Sequence, residues 1–203
     1  MKTRCRWISG ALLSFVPACS FASLASDPPD IGLRLDLGSG SYDADYREER
    51  PSQPPLREEA SFDSAAAGLE LELGGDLLSV LFLLRQHDVR DRGGSLAVDD
   101  SFQEVGLGLR GYLDVVDQLQ LFGELGIVVL AGLDFGRAES PVGARMGAGV
   151  SWRLSKDVSL EIRGRYTTVR MSDRREIPGE PARTTFETEV SGYEVGLGLT
   201  WWF

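Results

Sequence analysis

The last eleven residues, YEVGLGLTWWF from Tyr193 to Phe203, decide the fold. Tyr193, Val195, Leu197, Leu199, Trp201 and Phe203 are apolar and occupy every second position, while Glu194, Gly196, Gly198 and Thr200 fill the gaps. A period of two is the mark of an extended strand, because successive side chains leave opposite faces of a pleated backbone. One face of this segment is therefore large and apolar, and the other is small or charged.

The same alternation recurs in seven stretches upstream. Their apolar faces begin at Ile31, Leu33, Leu35 and Leu37 and continue through Leu69, Leu71 and Leu73 to Leu78, Val80, Phe82 and Leu84. Next come Val105, Leu107, Leu109 and Leu113, then Leu119, Leu121, Leu125, Ile127 and Val129. The last two run from Ala144 to Leu154 and from Val158 to Tyr166 on alternate residues. Each stretch has roughly the nine to eleven residues needed to cross a bilayer at a tilt. Short connections at Gly74 to Asp76, Asp114 to Gln118 and Ser155 to Asp157 alternate with long ones near Asp43 to Ser61, Asp88 to Asp100, Gly132 to Pro141 and Ser172 to Glu187. The short turns are expected at the periplasmic end, and the long, net-acidic connections are expected as extracellular loops.

Volume decides which face points inward. A closed eight-stranded barrel holds roughly a dozen side chains, several more if its strands are long, and the apolar face is far too large for that space. The polar face therefore lines the lumen, where glycines such as Gly68, Gly126, Gly147, Gly149, Gly196 and Gly198 make room for long side chains opposite. The same phase sends Arg34, Arg85, Arg110, Arg145, Arg153, Arg163 and Arg165 inward, together with Asp36, Glu70, Glu72, Glu104, Glu124, Glu161 and Glu194. A narrow lumen needs such matching, since an unpaired buried charge costs several kcal/mol.

The N-terminus reads as an export signal. Lys2, Arg4 and Arg6 precede an apolar run from Trp7 to Val16, and Ser23 and Ala25 supply a small-x-small cleavage site, giving a signal peptide over 1–25 and a barrel domain over 26–203. The competing reading is a lipidated Cys19 after Val16, Pro17 and Ala18. Cys5 and Cys19 are the two cysteines, so the expected mature chain has no thiol. A net charge of -10 argues against a nucleic-acid partner, which requires a basic face.

With the alternating C-terminal strand and the stretch Leu160 to Thr168, the chain resembles the small outer-membrane barrels of the OmpA/OmpX type over residues 31–203. The resemblance implies an all-β, eight-stranded antiparallel up-and-down barrel, integral to the Gram-negative outer membrane. It also implies that Tyr193, Val195, Leu197, Leu199, Trp201 and Phe203 form the signal read by the barrel-assembly machinery, and that outer-membrane lipid and lipopolysaccharide surround the protein. Trp152, Trp201 and Phe203 suit the boundary between lipid and water.

Sites for chemistry are sparse. Gly106, Gly108 and Gly111 match a G-x-G-x-x-G spacing, but they alternate within a strand instead of opening a helix, so no dinucleotide site is expected. His87 is the single histidine, with Gln86 and Asp88 beside it, and is expected at the rim or in a loop. The His-x-Ser spacing of lipid A deacylase barrels fails at Val89. The doubly apolar run from Leu77 to Leu84, with Phe122, Val128 and Leu130, is expected to pack one end of the lumen. No catalytic, cofactor or metal site is expected. The functional expectation is a structural or surface-interaction barrel, with a small diffusion channel and a lipid-modifying enzyme as alternatives.

Overall fold

The computed structural model describes residues 30–51, 53–75, 77–95, 100–132, 142–176 and 183–203, with the side chains of 91, 92 and 175 left aside. The expected signal peptide and the Cys19 alternative lie outside the described residues.

Eight strands follow one another: β1 (Asp30–Glu49), β2 (Leu56–Gly74), β3 (Leu78–Gly94), β4 (Ser101–Val116), β5 (Leu119–Ala131), β6 (Val142–Arg153), β7 (Val158–Arg175) and β8 (Thr184–Trp202). Each pairs antiparallel with the next, and β8 returns to β1, from Gly32 opposite Trp202 to Glu49 opposite Thr185, closing the barrel. Closure satisfies the edge backbone groups that a bilayer could not hydrogen-bond. The short connections and both barrel termini share one end.

Outside, Leu35, Leu37, Leu69, Leu84, Leu125, Ile127, Ile162, Val195 and Leu197 are exposed. A soluble protein would not display so continuous an apolar surface, whereas a hydrocarbon layer covers it. Inside, the residues opposite them in phase are buried, Arg34, Arg110 and Glu70 fully so.

The strands outlast the belt. Above Leu37, the outward residues of β1 become Ser39, Ser41, Asp43, Asp45 and Arg47, while Tyr42, Ala44 and Tyr46 face in and are buried. β8 does the same, with Ser191, Glu189 and Glu187 outward and Val190 and Phe186 buried. The alternation therefore inverts where each strand leaves the bilayer, because water now lies outside. This corrects the expected loops. Much of Asp43 to Ser61, Asp88 to Asp100 and Ser172 to Glu187 is strand, and the wall made by β7, β8, β1 and β2 stands taller than β5 and β6, of 13 and 12 residues.

Candidate functional site: the lumen

The register of the sheet sets opposite charges directly across from one another. Arg34 lies opposite Glu70, Arg85 opposite Glu104, Arg110 opposite Glu124 and Arg165 opposite Glu194. Such directly opposed pairs are the local unit of sheet stabilisation. Long side chains that lack a charged neighbour face glycine instead: Arg163 lies between Gly149 and Gly196, Asp36 between Gly68 and Gly198, and Arg145 opposite Gly126.

These pairs merge into one network. Near the end that carries the short turns, Arg34 donates to Glu72 at 2.8 Å, to Glu161 at 2.6 Å and to Thr200 Oγ1 at 2.9 Å, and also binds Glu70. Arg110 donates to Glu124 at 2.6 Å and Glu70 at 2.9 Å, with Glu72 and Glu161 at 3.2 and 3.3 Å. Its guanidinium lies 4.4 Å from the Phe122 ring centroid. Tyr112, unforeseen from the sequence, donates its hydroxyl to Glu72 at 2.5 Å. Higher up, Arg165 reaches Glu124, Glu70 and Asp36 at 2.6, 2.6 and 2.9 Å, and Arg163 binds Asp36 and Glu70. Arg85 meets Glu194 at 2.7 Å and Asp36 at 2.9 Å, and Arg145 meets Glu104 at 3.1 Å.

Arg153 departs from expectation. It is exposed beside the turn between β6 and β7, with Tyr112, Gln120 and Trp202 around the same small recess at the mouth that carries the short turns. Its position beyond the last inward rung of β6, at the buried Ser151, leaves it in water. Below an apolar plug, six buried arginines thus face seven buried carboxylates among the described residues, while an eighth, Glu48, is buried farther up β1 and pairs with Arg50.

Above the charges sits an apolar plug. Tyr42, Phe62 and Phe102 pack together with Ala44, Tyr46, Ala60, Val128, Leu130, Val169, Phe186 and Val190. Tyr42 stacks on Phe62 at 5.5 Å between centroids, and Phe102 meets both rings edge-on. Leu81 and Leu83 are buried lower on β3.

His87 joins the two layers, and this corrects its expected rim position. It is fully buried, and its ring stacks on Phe102 at 4.3 Å. Nε2 lies 3.2 Å from Glu104 Oε2 and Nδ1 lies 3.2 Å from Ser64 Oγ. β3 runs on past His87, and Val89 still faces in, packed against the plug. The inward phase of β2 and β3 was the signal that could have found Ser64 and His87. The tall wall also carries a recess of about 810 Å³ above the belt, lined by residues including Asp45, Arg57, Arg170 and Glu189.

No family model matches the sequence, and no curated protein matches it. Among solved structures, the barrel is similar to the outer membrane protein OprG from Pseudomonas aeruginosa, with a TM-score of 0.60 at 16% identity over 87% of this chain and 96% of that one. Neisserial surface protein A, NspA, aligns at a TM-score of 0.45 and 12% identity over 78% of this chain and 96% of that one. At such identities the likeness to OprG is one of fold. Together with the apolar belt and the closed sheet, it makes this chain an eight-stranded transmembrane β-barrel with the fold of the small outer-membrane proteins.

Proposed function

We propose that the protein is a non-conducting outer-membrane barrel whose role is structural or surface-interacting, carried by the tall extracellular wall and its connections. The observation behind this reading is that two layers fill the lumen in series: an ion-pair network of guanidinium and carboxylate groups, and the plug centred on Tyr42, Phe62 and Phe102. Eight strands leave an interior that side chains can fill, and the buried arginines, carboxylates and aromatic rings support that reading here. Arg suits the lower layer because its planar fork bonds carboxylates at two points and keeps its charge. Under this reading the C-terminal strand from Tyr193 to Phe203 addresses the assembly machinery, and lipopolysaccharide meets the outward polar residues above the belt.

Planar-bilayer recording from purified, folded protein tests the proposal. The expected result is no steady conductance. Steady, voltage-independent openings would overturn the sealed lumen and favour a small diffusion channel.

A further inference from the structure

Beyond that reading, the geometry points to Ser64 as a nucleophile, with His87 as its base and Glu104 as the group that orients His87, acting on a small carboxylic ester. The three residues come from adjacent strands on a diagonal. Ser64 lies opposite Val89 on β3, two residues from His87, and His87 lies opposite Phe102 on β4, two residues from Glu104. Diagonal neighbours on one sheet face are within reach of long side chains. Both contacts, Ser64 Oγ to His87 Nδ1 and His87 Nε2 to Glu104 Oε2, are 3.2 Å.

Each member is held in place. Glu104 is fixed by Arg85 at 3.3 Å and Arg145 at 3.1 Å, so it accepts the Nε2 proton and leaves the Nδ1 lone pair facing Ser64. The imidazole is clamped by Phe102 in stacking contact and by the edge of Tyr42. A nucleophile, a base within hydrogen-bond reach and a third group orienting the base are the parts of serine acyl transfer, whatever the fold. Here the serine meets Nδ1 instead of the more usual Nε2.

The substrate class follows from the space. Tyr42 occupies the room left by two glycines: a methyl group added at Gly192 would lie 2.3 Å from its ring, and one at Gly40 would lie 3.0 Å from it. Gly40 is also the β1 partner of Ser64. Displacing the phenol opens a notch bounded by Gly40, Gly192 and Ser64, and the surrounding plug is apolar, which fits a short acyl group. In the reaction, Ser64 Oγ attacks the ester carbonyl and its proton passes to His87 Nδ1. The alkoxide leaves with that proton as an alcohol, giving acyl-Ser64. Water, deprotonated by the same nitrogen, then releases the carboxylic acid and returns the proton to Ser64.

The test treats the folded full barrel and its Tyr42→Ala variant with a fluorophosphonate probe, and checks folding by the heat-dependent shift in electrophoretic mobility. An adduct at Ser64 is expected, absent in Ser64→Ala, faster in Tyr42→Ala, and slowed about 100-fold or more by His87→Gln in the Tyr42→Ala background. Hydrolysis of p-nitrophenyl acetate should follow the same order. If folded Tyr42→Ala protein gains no adduct at Ser64, or if His87→Gln leaves its rate unchanged, Ser64 is only a structural hydroxyl. Neither outcome bears on conductance, so the sealed-lumen reading stands or falls separately.

Discussion

At the scale of single residues, the decisive contrast is between arginines that the sequence treats alike. Arg110 is fully buried among Glu70, Glu72, Glu124 and Glu161, while Arg153 is exposed at the mouth that carries the short turns. Replacing Arg110 by Met leaves four carboxylates without one of their shared partners, in a lumen where acids already outnumber arginines. The expected loss is about 3–5 kcal/mol, the range for removing one side of a buried pair. Arg153→Met should change stability by no more than about 0.5 kcal/mol, as exposed substitutions do. Urea unfolding in lipid vesicles reads both, and equal effects would show that the lumen network does not hold the barrel together. Glycine gives a second contrast. A Cβ at Gly192 would meet the Ser41 carbonyl at 2.6 Å as well as the Tyr42 ring, whereas one at Gly123 or Gly164 meets nothing within 4 Å. Gly192→Ala should therefore cost about 1–3 kcal/mol, because backbone cannot step aside. Gly164→Ala on the lipid face should be neutral or gain about 0.4–1 kcal/mol by restricting the unfolded chain. A destabilised Gly164→Ala would mean that the outer face packs against something more demanding than lipid.

At the scale of elements, the strands inside the bilayer were legible and their continuations were not. The period-2 rule with the apolar face outward tracks β8 from Phe203 back to Tyr193, then loses the signal at Ser191. The strand goes on to Thr184, but its apolar residues now face in, as Val190 and Phe186 show. A search for one apolar phase reads this inversion as a loop, and the same inversion hid His87, whose neighbours Gln86 and Asp88 are exposed. The inward charges below the inversion follow directly from phase, apart from Arg153 at the strand end. Their partners across the lumen, such as Arg165 with Asp36, depend on the stagger of the closed barrel and could not be paired by counting along the sequence. β8 also carries the prediction that belongs to this scale. Phe203 is 79% exposed and its amide donates to the Ile31 carbonyl at 2.9 Å, so its side chain adds little to the folded barrel, and the role proposed for this strand would be exerted before closure. Deleting Phe203 should lower the membrane-inserted, heat-modifiable fraction in cells while leaving vesicle-refolded protein stable to within about 1 kcal/mol. Loss of both together would make the residue a structural one.

At the scale of the whole molecule, the barrel is asymmetric along its axis and around it. Turns of a few residues close one end, and the tall wall of β7, β8, β1 and β2 rises from the other, where the outward residues are polar. Short turns face the periplasm in outer-membrane barrels, so Asp45 on the wall should face the medium and Lys156, between β6 and β7, should face the periplasm. Both side chains are accessible, at 43% and 89% exposure. The sequence carries cysteine at positions 5 and 19 alone, so a chain that has lost residues 1–25 offers no thiol background. Asp45→Cys should then react with a bulky, impermeant maleimide on intact cells, and Lys156→Cys should react only after the outer membrane is opened. The unsubstituted protein serves as more than a blank. If the leader is removed after Ala25, it takes no label under either condition, whereas a retained leader leaves thiols that appear on denaturation. A lipidated Cys19 blocks its own thiol but adds the mass of its acyl chains to the purified protein. Lys156→Cys labelling on intact cells would reverse the assigned orientation and move the plug centred on Phe62 to the periplasmic side, with the ion-pair network then facing the outside.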